Sequence, residues 1–207
     1  MRIEFDIPET VLHHLLDPVP IPQMARVHYA IPTPAPLRDI RTAVRERMER
    51  AGARTMVRPG QRIAVGVGSR GIGRLPEIVA ALVGELRALG AEPFIIPTMG
   101  SHGGATAEGQ HEVLRHLGVT PERVGAPIEA QMETVEVGRA ADGTPVRLDR
   151  LALAADGIVF VARVKPHTAY RGPHESGLAK MIAIGLGKQA GAAICHARTS
   201  TRECAMP

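Results

Sequence analysis

The stretch 62-RIAVGVGSRGIGRLPEIVAALVGELRALGAEPFIIPTMGSHGG-104 decides the fold. RIAVGVG is a short continuous apolar run bounded by turn residues, the pattern of a strand buried on both faces. The turn SRGIGRLP follows, and from Leu75 to Leu89 apolar residues recur at helical spacing until Gly90 stops them. AEPFIIPTMG repeats the strand pattern, and GSHGGAT leads into a second helix, Glu108 to Leu117, closed by Gly118. A strand, a glycine turn and a helix in repetition imply parallel strands, because a helix-length crossover returns the chain in the same direction. The expected class is α/β: a mostly parallel sheet with helices on both faces, in Rossmann-like layers.

Outward from this core the pattern continues. Upstream, Leu37, Ile40, Val44 and Met48 share one face of a helix predicted from Leu37 to Ala51, with charges opposite. Residues 1–36 hold Pro18, Pro20, Pro22, Pro32, Pro34 and Pro36 and read as a strand followed by an extended arm, on which His13, His14 and His28 are surface or turn histidines. Downstream, METVEVG and GTPVRLDR read as short strands around a turn at Asp142-Gly143, a hairpin or a small excursion. LALAADGIVFVARV gives a helix-like lead, a turn at Asp156-Gly157 and what reads as the strongest buried strand, IVFVARV, which delivers Lys165, Pro166 and His167 to the sheet edge. The predicted organisation is an arm at 1–36, an α/β domain at 37–196 and an irregular tail, ARTSTRECAMP, at 197–207.

Composition narrows the function. With 207 residues and 44% hydrophobic content the chain buries a real core, but aromatics are only 2% and Trp is absent, so nucleobase stacking has almost nothing to work with. The net charge of +4 is spread rather than blocked, which suits small anionic ligands at least as well as nucleic acid. Cys195 and Cys204 are too few for a disulfide framework, and there is no CxxC for a structural zinc. MRIEFDIPET is not a signal peptide, and no apolar run reaches membrane-spanning length. The expectation is a cytoplasmic protein with a small anionic partner, no nucleic acid and no membrane.

The chemistry-bearing residues concentrate at the carboxyl ends of the predicted strands, where open α/β sheets bind ligands. Arg70 follows the first strand in GVGSRG, and a guanidinium there forks onto a carboxylate or phosphate. That turn matches neither a dinucleotide fingerprint nor a P-loop, and a plain tight turn explains it equally well. His102 follows the second strand among glycines; His111 and His116, on the helix, are surface residues. The stretch from Arg163 to His196 adds His167, His174 and His196 and two lysines, Lys180 and Lys188, flanking an apolar run. Imidazoles move protons and ligate metals near neutral pH, and lysines supply an amine or a cation.

Arg70 in VGSRG, His102 in MGSHGG, His167 in KPH, Lys180 in SGLAK and His196 in ICH fall in the order, and close to the spacing, of the nickel-dependent lactate racemase family. The chain resembles that family over most of residues 60–196. The resemblance implies a racemase or epimerase of small 2-hydroxy acids that carries a nickel-pincer nucleotide and depends on cofactor-synthesis enzymes. It makes His102 and His167 an alternating base and acid on the substrate hydroxyl, while a hydride moves from the substrate carbon to the cofactor and back. By the same resemblance Arg70 holds the carboxylate or steadies the keto acid, Lys180 is the covalent tether and His196 the protein ligand to nickel. The small residues around these motifs, Gly68, Ser69, Gly103, Gly104, Ser176 and Gly177, are assigned to cofactor binding.

Departures from the family pattern also carry information. Ser176-Gly177-Leu178 stands where the lactate racemase has a glycine pair after the serine, and His102 precedes glycine rather than arginine. These point to a divergent subgroup whose substrate need not be lactate, with His174 an alternative to His167. The resemblance implies a second family domain after this one, and its expected absence here implies a fragment or a short form with weak turnover alone. The competing reading is a noncatalytic module that binds a nucleotide or anionic metabolite at the glycine-rich edge. A hydrolase built on His102, His167 and another metal lacks the acidic ligands such a site needs.

Overall fold

The computed structural model describes residues 25–26, 35–165 and 176–203, with side chains as far as 198. Most of the predicted arm, including His13, His14 and His28, lies outside the described residues. By internal contacts the chain divides into two compact units, Met1–Pro36 and Leu37–Pro207, and the second carries all the elements named here. In chain order these are α1 (Ile40–Arg50), β1 (Arg62–Val67), α2 (Leu75–Ala88), β2 (Glu92–Pro97), α3 (Ala107–His116), β3 (Thr134–Arg139), β4 (Pro145–Asp149), β5 (Gly157–Val161) and α4 (Lys188–Glu203).

The architecture is the expected α/β class. β2, β1 and β5 form a parallel sheet in that order, with Val65 of β1 paired to Ile95 on one side and to Val159 on the other. Because side chains alternate across a strand, each face of the sheet builds its own core. Ile63, Val65 and Val67 point with Ile95 toward one face, where Leu75, Val79, Leu82, Val83 and Leu86 of α2 and Leu114 of α3 cover them. Ala64, Phe94 and Ile96 point to the other, onto Ala152 and Leu186. This two-sided burial is why β1 and β2 read as unbroken apolar runs. The outer edge of β2 is closed by residues 127–129, whose backbone bonds Ile95 in both directions at 2.8 Å.

From β1 the chain crosses to β2 on one side, yet β5 arrives on the other side of the same strand. The carboxyl end of β1 is therefore the point where strand order reverses, and crevices form there. The hairpin β3–β4 is antiparallel and separate, with the turn at Asp142-Gly143 that its sequence predicts.

Three expectations change. α1 starts at Ile40 rather than Leu37, since Asp39 caps it, accepting from Thr42 N–H at 3.2 Å and from the Thr42 hydroxyl at 2.7 Å. β5 ends at Val161 and is only half-buried, not the most buried strand, and Val164 is 81% exposed. The sheet explains this: β1 turns away after Val67, so residues beyond Val161 have no strand to pair with. Finally, the tail predicted as irregular from 197 is helical to Glu203, as the end of α4.

Before α4, a short helix at Leu178–Lys180 continues as a π-helical turn, Met181–Gly185, and the chain then bends by 110° into α4. Close packing dictates the sequence at the bend. A Cβ on Gly185 would stand 2.9 Å from the carbonyl oxygen of Thr98, so the turn sits directly on the end of β2. No single helix among the described residues is long and apolar enough to cross a membrane.

Candidate active site

A pocket opens at the carboxyl ends of all three parallel strands, with about 730 Å³ of space, part of it open to solvent. The end of β1 contributes Gly68, Ser69 and Arg70, the end of β2 Thr98, Met99 and His102, and the end of β5 Arg163 and Lys165. The segment leading into α4 closes the remaining wall, with Ser176, Gly177 and Lys180 before the π-helical turn and Met181, Ile184 and Gly185 within it. Thus the order reversal at β1 gathers Arg70, His102 and Lys180 from segments far apart in sequence.

The electrostatics follow from this grouping. Arg70, Arg163, Lys165 and Lys180 line the pocket, and no carboxylate does so among the described residues. Desolvation by the wall, then the Arg70 guanidinium, then Lys180 lower the pKa of His102, so the imidazole is neutral at pH 7. Lys180 is lowered as well, first by burial and then by Arg70 and Lys165, which eases release of its proton to leave a nucleophilic amine. The Ser69 hydroxyl lies 2.5 Å from His102 Nδ1. A hydroxyl both donates and accepts, so this contact survives whichever ring nitrogen carries the proton. At the back wall Thr98 is 1% exposed, and its hydroxyl has no hydrogen-bond partner among the described residues.

The family model of the lactate racemase N-terminal domain matches residues 3–205. The chain belongs to that family. No curated protein and no solved structure matches it.

For a lactate racemase N-terminal domain, the residues singled out from sequence fall into three groups. Gly68, Ser69, Arg70, His102, Ser176, Gly177 and Lys180 line one pocket. Gly103, Gly104 and His196 do not. Gly103 instead presses on α3, where a Cβ would stand 2.5 Å from the backbone of Gly109. His196 is exposed on α4, beyond the 110° bend from Lys180. His167 and His174 lie outside the described residues. Among the described residues, no three His, Cys, Asp or Glu side chains gather as a metal site.

Sequence reasoning missed Arg163, whose place just past the end of β5 shows only once that strand is known to stop at Val161. It also gave no task to Lys188, which is fully buried; its one signal is a lysine after an apolar run.

Proposed function

We propose that this pocket serves a racemase or epimerase of small anionic 2-hydroxy acids, with a nickel-pincer nucleotide tethered at Lys180. The observation that carries the reading is the convergence of Arg70, His102 and Lys180 on one cation-lined pocket. The organic part of that cofactor suits these residues: Lys180 offers an amine with lowered proton affinity, and the surrounding cations suit a phosphate. His196 would supply the metal's imidazole in this reading. It lies outside the pocket lining. When bound, the cofactor supplies the acceptor that takes the substrate's carbon-bound hydrogen with its electron pair and returns it to either face.

The protein's own groups handle the carboxylate and the proton. Arg70 forks onto the carboxylate and sets the 2-carbon in register with the opposite wall. His102, neutral at working pH, accepts the hydroxyl proton as the alcohol becomes a keto acid and gives it back on reduction. Ser69 steadies the ring through both states, since it accepts from Nδ1–H or donates to bare Nδ1. Racemisation needs the same service on the other face, and His167 is the residue this reading assigns to it.

Expression with the cofactor-synthesis enzymes, followed by intact-mass spectrometry, tests the proposal. An adduct is expected on the wild-type chain and not on Lys180→Ala. An unmodified wild-type polypeptide would leave the second reading, a noncatalytic binder of nucleotides or anionic metabolites, which the position of His196 favours.

A further inference from the structure

Lys188 is a buried charge that the proposed chemistry does not use. Its side chain is fully inaccessible, and its backbone adopts φ 52°, a left-handed conformation that a residue with a Cβ reaches only under strain. It occupies the first position of α4, just past the 110° bend. A strained backbone and a buried ammonium thus coincide at one residue.

Lys188 Nζ donates to the carbonyl oxygen of Pro97 at 2.6 Å and to Gln110 Oε1 at 3.3 Å, and lies 3.0 Å from Asp149 Oδ2. Burial lowers its pKa while Asp149 opposes the shift, so two neutral oxygens accept from the ammonium and one carboxylate pairs with its charge. Gln110, also fully buried, is the link to the pocket. An ammonium only donates, so Lys188 fixes which end of the Gln110 amide faces it. The amide nitrogen must then point the other way, and it donates to the carbonyl oxygens of Gly100 at 2.8 Å and His102 at 3.3 Å. Asp149 anchors the far side: its Oδ1 accepts from Leu151 N–H at 2.8 Å and from the Gln131 amide, and its own N–H donates to Leu186 at 2.8 Å.

We infer that Lys188 and Gln110 form a buried positioning chain that sets the backbone of the His102 loop, and through it the placement of the imidazole against Ser69, Arg70 and Lys180. The inference rests on reading His102 as the proton-handling group of the pocket. Neither Lys188 nor Gln110 lines that pocket, so both act through His102 and are not catalytic residues. The rival account is that the buried pair merely holds core elements together. The two differ in what they do to the ring.

The test is NMR of the chain with isotope-labelled histidine, the His102 signals being assigned with His102→Gln. Gln110→Met removes the donor at nearly constant length and leaves Lys188 its contacts with Pro97 and Asp149. With a positioning chain, Gln110→Met moves the His102 titration midpoint up toward the ordinary imidazole value and changes the balance of its two ring-nitrogen signals. Lys188→Met produces the same change, and Gln110→Met decides alone where Lys188→Met does not fold. Superimposable His102 titrations and nitrogen shifts in folded Gln110→Met and wild type would overturn the inference, even with a lower thermal midpoint. If Lys180 takes no adduct yet Gln110→Met moves His102, the racemase reading fails and the positioning chain stands; the opposite pair of results sinks the chain alone.

Discussion

At the scale of single residues, His102 reports on its neighbours, because two of the three causes that lower its pKa are named cations. Arg70 acts more strongly on it than Lys180 does. Arg70→Gln is therefore expected to raise the NMR titration midpoint of His102 more than Lys180→Gln does; the reverse order, or no movement, would mean that neither cation faces the ring. The sign for stability follows. A base whose pKa is lower in the folded state binds fewer protons than its unfolded counterpart between the two values, so stability rises with pH through that window. This contribution is complete above the ordinary value of about 6.5 and is lost as pH falls through it toward the lowered value. Arg70, His102 and Lys180 were legible in the sequence because each follows a strand end or sits in a short glycine-rich motif. Lys188 and Gln110 were not, because burial of a polar side chain depends on partners such as Asp149 and Pro97 that are distant along the chain.

At the scale of elements, β1, α2 and β2 were readable because burial on both faces of a strand leaves an unbroken apolar run. The end of β5 was not, since Ala162 to Val164 keep a strand-like pattern and only the loss of a pairing partner stops them. The helical course of 197–203 was hidden for a related reason. Its Thr and Ser residues are poor helix formers, yet adding a residue to a helix already nucleated at Lys188 costs little. Packing also distinguishes two neighbouring glycines that the sequence grouped together. Gly103 and Gly104 both have left-handed backbones, φ 66° and 64°, but a Cβ at Gly103 would press on the Gly109 backbone while one at Gly104 meets open space. Gly104→Ala should then cost only the left-handed strain, about 1–2 kcal/mol. Gly103→Ala should cost that plus overpacking, about 1–3 kcal/mol more. Urea denaturation with unchanged m-values measures the difference, and equal costs would show that the His102 loop does not press on α3.

At the scale of the whole molecule, strand order is what turns scattered cations into a site. β1 has neighbours reached in both directions, so its carboxyl end faces a crevice, and Arg70, Arg163, Lys165 and Lys180 converge there with no carboxylate opposite among the described residues. Such a concentration of like charge is tolerated at a cost that an anion would relieve. A nucleoside monophosphate should therefore bind the chain before any covalent chemistry and raise its thermal midpoint. At a hundred times the dissociation constant, mass action contributes about 2.7 kcal/mol. For a chain of this size that corresponds to roughly 5–10 °C. Because the pull is electrostatic, the shift should shrink as salt is raised and should largely vanish in the Arg70→Gln/Lys180→Gln double variant. A shift of wild-type size in that variant would place the anion elsewhere, and would leave the convergence at β1 without the binding role assigned to it. With Lys180→Ala alone the two functional readings part: a noncatalytic nucleotide binder keeps most of the stabilisation, whereas a tethered cofactor site loses its covalent adduct while reversible binding through Arg70 persists in weakened form.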